Sequence, residues 1–469
     1  MNIDGPLAEA TAAEGSRKPD TTLALCMAVC AFATGIATHI YAGFCDLRAL
    51  LALTCALVAC VVGVLWPGAA RRDALLQKWL RLLLSIAIFL QSGLLLLNEA
   101  NHGAAIQWLI VVLSLLALLN VLNLERLRAP IAAFMIAGFF AILLLGVYRG
   151  RTGIDVHMFQ ARAADALWHG QNPYAVRYPN VYGQQTPFYG PGVVDASDAW
   201  LNYGFPYPPL SLLMSMVGFL AGDVRIADAL AAAIVAALIF AARPGRINAL
   251  AASLLILTPL SLLVIYVSWT ETLLALSFSL VMFCACRRGK FDWFLPIALG
   301  LFFATKQYAI LSLPLLLLLV GKKNQVRELA RLILIAGLVG AAITLPFLLW
   351  NPTAFIRAVV LFQMFQPFRP DAISYPALIY ALNGHHAPSI WISFAALFAA
   401  LLLALWRCPR TPAGYAAGVT FVNLTFFVFN KQAFPNYYYF VVVTACWALA
   451  ATDAAAPAWA RRSGTATAV

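Results

Sequence analysis

The sequence predicts an all-α polytopic membrane protein, and three observations carry that. Of 469 residues, 63% are hydrophobic and only 11% charged, where a soluble domain is roughly half apolar and a quarter charged. The mean hydropathy is +0.84. The apolar residues are gathered into repeated runs of about 15 to 23, the length that crosses roughly 30 Å of hydrocarbon. A membrane β-barrel is excluded, because its strands read as short alternating segments.

Taken in order, the chain opens on MNIDGPLAEATAAEGSRKPD, a polar stretch that predicts a disordered cytoplasmic tail over 1–20. It is too long and too acidic for the first part of a signal peptide, so the next run is retained as a helix. Runs at 21–43, 47–66, 79–97 and 105–123 predict four leading transmembrane helices within 21–128. The run at 130–148 opens the main membrane core, 129–455, with a large external loop at 149–205. Further spans are predicted at 206–221, 226–242, 248–266, 272–286, 292–305, 308–320, 331–349, 388–406, 411–430 and 437–452. A cytoplasmic tail, 456–469, ends the chain.

The net charge is +12, from 31 Lys and Arg against 19 Asp and Glu. In a membrane protein this excess collects in cytoplasmic loops, so nucleic acid is not a partner. Arg71, Arg72, Lys78 and Arg81 follow the second span, and Arg126 and Arg128 the fourth, which puts the N-terminus inside. RRGK (287–290), GKKNQVRELAR (321–331), Arg407 with Arg410, and Arg461 with Arg462 are cytoplasmic too. The two halves disagree by one crossing: RPGR (243–246) belongs inside, yet two full spans from an external loop would leave it outside. One segment within 206–242 must therefore be short, broken or re-entrant. The nine cysteines lie mostly within apolar runs without metal or redox spacing and read as small buried hydrophobes.

Most polar residues outside the basic loops fall on the external face. RTGIDVHMFQARAADALWHGQNPYAV (151–176) concentrates Asp155, His157, Arg162, Asp165, His169 and Asn172. After Asp155 the spacing of Val156, Phe159, Ala163 and Leu167 predicts an amphipathic helix at the membrane surface, ended by Gly170. The ordinary reading of Asp155 is a helix cap, which is compatible with a chemical role. FPYPPL (205–210) leads Tyr207 into an apolar run, and the ordinary reading of its prolines is a rigid helix start. SWTE (268–271) sets Glu271 at an external helix end, and KQY (306–308) does the same for Lys306 and Gln307. NKQAFPNYYY (430–439) adds Lys431, Gln432, Asn436 and Tyr437. Snorkelling explains one external lysine and an interfacial belt explains tyrosines. Two lysines with a Gln, a Glu and an Asp on one face instead suit a cavity that takes an anionic phosphate. No phosphate loop, dinucleotide motif or nucleophile elbow is present. Asp155 with His157, or Asp195 with Asp198, leaves a divalent cation possible, but nothing fixes a coordination shell and no cofactor or metal residue is assigned.

The external Asp after a helix, then AADALWHGQNPY (163–174), FPYPPL and ATKQYAILSLPLLLLL (304–319), resembles the GT-C integral membrane glycosyltransferases. Among them it is most similar to the bacterial polyprenol-phosphate-mannose-dependent mannosyltransferases, over roughly 130 to 450. The resemblance implies a bundle of about 14 transmembrane helices with an external loop carrying short amphipathic helices. It implies an inverting hexosyltransferase in the bacterial inner membrane, with its active site facing the periplasm or exterior. The donor would be a sugar, mannose first, on a polyprenyl phosphate, and the acceptor a lipid or glycan, with membrane lipids as further partners. The loop Asp, here Asp155, would be the general base. The leaving phosphate needs charge stabilisation, for which Lys306, Lys431 and Arg369 are the candidates. Candidate substrate contacts are His157, Tyr207, Glu271, Gln307, Gln432, Asn436 and Tyr437. The alternative is a transporter or flippase of a lipid-linked sugar; internal symmetry would favour it, and the two halves show no repeat.

Overall fold

The computed structural model describes residues 21–66, 74–99, 103–122, 124–148, 153–183, 187–197, 199–243, 245–322 and 324–452. Both expected tails lie outside the described residues. The architecture is all-α. Four leading helices, α1 (Thr21–His39), α2 (Leu47–Leu65), α3 (Ala74–Asn98) and α4 (Ala104–Val121), precede α5 (Arg128–Val147). Then come α6 (Asp155–Trp168), a two-residue antiparallel ladder pairing Tyr178 with Leu201 and Pro179 with Trp200, α7 (Pro209–Leu220) and α8 (Arg225–Ala242). The next span is broken, α9 (Arg246–Ile256) and α10 (Leu260–Tyr266) meeting at 49°. Then follow α11 (Glu271–Cys286), α12 (Leu295–Phe303), two 3₁₀ turns over 307–318, and α13 (Gln325–Trp350). The last elements are α14 (Pro352–Met364), α15 (Tyr375–Leu382), α16 (Trp391–Arg407), α17 (Pro412–Val428) and α18 (Pro435–Ala451).

Among the described residues seven helices are long and apolar enough to cross a membrane, or eight with the bent pair counted as one span. Six shorter apolar helices of 12 to 17 residues accompany them, among them α7, α11, α16, α17 and the 3₁₀ segment over 307–318; length and composition alone do not bring the count to the expected total of about 14. A 3₁₀ helix rises about 2.0 Å per residue against 1.5 Å for α. Twelve residues in that form reach about 24 Å, enough to approach a full crossing.

Within 206–242 the shorter helix is α7, and it is the segment we expect not to cross. Its 12 residues make only about 18 Å, short of the roughly 30 Å needed. Pro208 and Pro209 start it, and Gly218 lets α8 fold back against it: a Cβ at Gly218 would press on the Val224 and Asp223 carbonyls and the Ala227 amide. With α7 shallow, the basic loops before and after it alternate without conflict.

The bundle closes around α18, where every residue except Tyr437 is buried. Small residues on α1 (Ala24, Ala28, Ala31, Gly35) let it pack closely against its neighbours, and the leading helices share one hydrophobic core with the rest. Tyr266 at the end of α10 donates to Glu99, the residue that follows α3, at 2.9 Å. A second core lies under the segment between α5 and α7, and Phe159, Tyr174, Tyr178, Phe205, Phe355 and Phe362 belong to it.

Candidate functional site

One cavity of about 920 Å³ gathers most of the predicted residues. Asp155, Tyr207, Lys306, Gln307, Arg369, Lys431, Gln432, Asn436 and Tyr437 line it, although they come from segments spread over most of the chain. His157 and Glu271 do not line it. The remaining wall is largely apolar, with Val156, Phe159, Phe188, Leu263, Trp269 and Phe427 among its residues.

Asp155 is the first residue of α6. Ile154 holds the cap position and makes no side-chain cap bond, so the cap reading does not describe Asp155. Its carboxylate instead accepts from two phenols, Tyr182 at 3.0 Å on Oδ1 and Tyr189 at 3.1 Å on Oδ2. The Tyr182 hydroxyl also accepts from the Asp155 amide at 3.3 Å. Burial pushes the Asp155 carboxyl above its ordinary range, while the two phenols, the Val156 amide and the Arg369 charge pull it down. The result is a carboxylate with raised basicity, at a helix N-terminus, facing a cavity. Tyr182 and Tyr189 were missed by sequence reasoning. The only signal for them was an aromatic cluster in an otherwise polar loop.

His157 sits two positions on, about 200° around the helix axis, and therefore faces away. Its Nε2 lies 3.9 Å from Asp223, whose stronger partner is Arg225 at 2.6 Å. Burial lowers the His157 pKa. A direct substrate contact by His157 does not fit this placement.

The cations occupy three settings. Lys306 forms an ion pair with the fully buried Glu271 and donates to Thr270 at 2.8 Å. The rings of Tyr207, Tyr308 and Tyr437 surround its ammonium at 5.2 to 6.0 Å. Arg369 makes a two-pronged pair with Asp371, at 2.8 and 2.6 Å, and stacks between Phe188 and Phe434 at 4.5 and 4.6 Å. Lys431 has no carboxylate within ion-pair distance among the described residues, and its ammonium donates to the Gln366 carbonyl. Burial lowers its pKa. It is the cation here that most lacks a counter-charge.

Several predicted contacts are committed to the fold. Gln307 donates to the Pro206 and Val359 carbonyls at 2.7 and 3.2 Å, and Gln432 to the Pro367 carbonyl at 2.8 Å. Asn436 donates to Glu271 at 2.8 Å and Tyr308 donates to the same oxygen at 3.3 Å. Glu271 thus stands behind the cavity wall as the acceptor that organises Lys306, Asn436 and Tyr308. Tyr438 and Tyr439 are fully buried in the bundle, which removes the interfacial reading for both. No group of three or more His, Cys, Asp or Glu is placed to hold a metal ion among the described residues.

No family model matches the chain, and no curated protein matches it. Two solved structures do. Both are crystal structures of ArnT from Cupriavidus metallidurans. With the form bound to undecaprenyl phosphate, identity is 18% and TM-score 0.41 over 67% of this chain and 59% of that one. With the apo form the values are 19% and 0.43, over 68% and 60%. The chain therefore spans about three-fifths of the length of the structures it matches.

Proposed function

We propose that the chain is a GT-C-type glycosyltransferase. In this reading it moves a single sugar, mannose being the first to test, from a polyprenyl phosphate to a lipid or glycan acceptor, with inversion. The site would face the periplasm or exterior of a bacterial inner membrane. One observation carries this: a single cavity brings a basic carboxylate, Asp155, together with Lys431 and Arg369 inside a mostly apolar wall. That is the combination needed where a hydroxyl must lose a proton and a lipid phosphate must leave.

The chemistry divides between the two groups. Asp155 takes the proton of the acceptor hydroxyl as its oxygen attacks the anomeric carbon. The C–O bond to phosphate breaks on the opposite face. The departing phosphate already carries negative charge, so it calls for cations rather than an acid. Lys431 lacks a competing carboxylate and serves first. Arg369 is held in place by its stack and by Asp371, and adds a second positive charge. Lys306 has spent two of its three N–H donors on Glu271 and Thr270, which leaves one for the substrate. A glycosidase would need two carboxylates flanking the bond, whereas Glu271 is sealed behind Lys306.

The test uses the purified protein in lipid vesicles, a panel of labelled polyprenyl-phosphate sugars and an extract of envelope lipids and glycans, with and without a chelator. Wild type is expected to transfer one sugar. Asp155→Asn should bind donor normally but transfer about 10²- to 10⁴-fold more slowly. Unchanged transfer by the variant would remove Asp155 from the mechanism. The bent span at Thr258 and Pro259 is a discontinuity of the kind transporters use. The same assay therefore follows the leaflet of the labelled lipid; movement without transfer would favour the flippase reading.

A further inference from the structure

One cluster of charge takes no part in the chemistry above. Arg128 opens α5 and Arg246 opens α9. Asn120, near the end of α4, donates to Met135 Sδ at 3.5 Å and to Ser253 Oγ at 3.3 Å, and Ser253 donates to Met135 Sδ at 3.8 Å. Met135 stands seven positions after Arg128, and Ser253 seven after Arg246. Seven residues make about two turns, a rise of about 10.5 Å, and return to nearly the same face. The faces that carry the two arginines are therefore the faces that meet, and both arginines stand at one depth. Arg81, on α3, completes the group: its charge and that of Arg128 both act on Arg246.

Little balances this charge. Among the described residues the carboxylate paired with the group is Glu125, 3.9 Å from Arg128 and largely exposed. The Arg246 Nε is buried and has no hydrogen-bond partner among the described residues. Neither α5 nor α9 has an acidic residue in its first turn, and neither is capped by a side chain. A helix N-terminus is the positive end of the dipole, where an arginine is repelled and an anion is favoured. Three guanidinium groups and two such ends converge where an anion between them would relieve the repulsion. The basic loops that hold the three arginines all fall on the face that the charge pattern assigns to the cytoplasm. Leu82, Leu127 and Phe134, close by in sequence, are exposed and apolar. Such a mixture suits the depth where headgroups meet acyl chains.

We infer that Arg81, Arg128 and Arg246 form a site for the phosphate of one anionic phospholipid, its acyl chains lying along α3 and α5. Basic pockets between membrane helices suit such headgroups. None of the three arginines lines the cavity that holds Asp155, so the site stands apart from the transferase reading and does not depend on it.

The experiment titrates the delipidated full chain in detergent with phosphatidylglycerol or phosphatidylcholine and counts bound lipid by native mass spectrometry. Wild type is expected to hold one phosphatidylglycerol with about tenfold preference over phosphatidylcholine. Arg246→Gln and Arg128→Gln should each lower the phosphatidylglycerol affinity about five- to tenfold, and Arg81→Gln should lower it less. Lys322→Gln removes an exposed charge elsewhere on the same face and should change nothing. An equal loss in Lys322→Gln, or no loss in the arginine variants, would overturn the site. If Arg246→Gln and Arg128→Gln do not elute as monodisperse proteins, Arg81→Gln, at an exposed position, decides alone. A second arm replaces lipid with millimolar inorganic phosphate and follows thermal stability. Stabilisation of wild type by phosphate, lost in Arg246→Gln and unaccompanied by any lipid preference, would give the cluster to a soluble anion and overturn the lipid assignment.

Discussion

Burial and two phenols pull the Asp155 carboxyl in opposite directions, and burial is the larger. A carboxyl raised above its ordinary value binds its proton more tightly in the folded chain than in the unfolded one. Stability from this source is fully present below the ordinary carboxylate range and is lost as pH rises through the folded pKa. Asp155→Asn removes that loss. The variant should therefore melt higher than wild type at neutral pH, with the gap closing in acid. Activity runs the other way, since the base must be ionised. Its acid limb should lie above the ordinary carboxylate range, and Arg369→Met, which removes a charge that favours the carboxylate, should move that limb to higher pH. A pH profile of donor-saturated transfer checks both. Lys431→Met deletes a charge-assisted contact worth about 1.5–3 kcal/mol, so the KM for donor should rise about 10- to 100-fold while the pH profile keeps its shape. These residues were legible in the sequence because charge at the ends of apolar runs, outside the basic loops, is conspicuous. Tyr182 and Tyr189 were not, because a tyrosine in a loop looks alike whether it holds a carboxylate or a lipid headgroup.

The helix that carries the base is itself tied down from below. Gln160, one turn into α6 and fully buried, donates to the Ser268 carbonyl and hydroxyl, at 2.5 and 3.1 Å, and accepts from Ser215 at 2.7 Å. Ser268 is left-handed, with φ of 54°, and donates to Asp228 at 3.3 Å; Thr272 donates to the same carboxylate at 2.8 Å. Two short polar bonds thus fix α6 against the segment that presents Thr270 and Glu271 to Lys306. The apolar spacing of α6 revealed the helix and part of its buried face. Gln160 could not be placed, because its partners lie 55 and 108 residues away and sequence period reports only neighbours. Gln160→Leu leaves the Ser268 carbonyl without this donor, which should cost about 1–3 kcal/mol. Denaturation in detergent measures that loss. A fall in the maximal transfer rate with little change in donor KM would show that the tether positions Asp155.

At the scale of the whole molecule, hydropathy located nearly every helix, because a membrane leaves the backbone few other ways to satisfy its hydrogen bonds. What hydropathy could not give was depth. A 12-residue helix and a 17-residue one are both apolar runs, and it is the fold that gives α7 only 12 residues. Basic residues had already marked the inconsistency at RPGR (243–246). The two observations combine into a decisive labelling experiment. In a chain stripped of its own cysteines, single cysteines replace Ser197, Arg243, Asn324 and Ser389, and intact cells are treated with a thiol reagent that does not cross the membrane. Ser197 and Ser389 lie in loops that the charge pattern assigns to the external face, and both should react at once. Asn324 lies among GKKNQVR and should react only after permeabilisation. Arg243 is the position that decides. If α7 crossed, the chain would be outside after α8 and a cysteine at 243 would react in intact cells. With α7 shallow, α8 carries the chain inward and that cysteine should stay protected. Reaction at 243 would reverse every later segment, moving Lys306 and Lys431 to the face opposite Asp155. Because all three line one cavity, protection at 243 is also what a single external site requires.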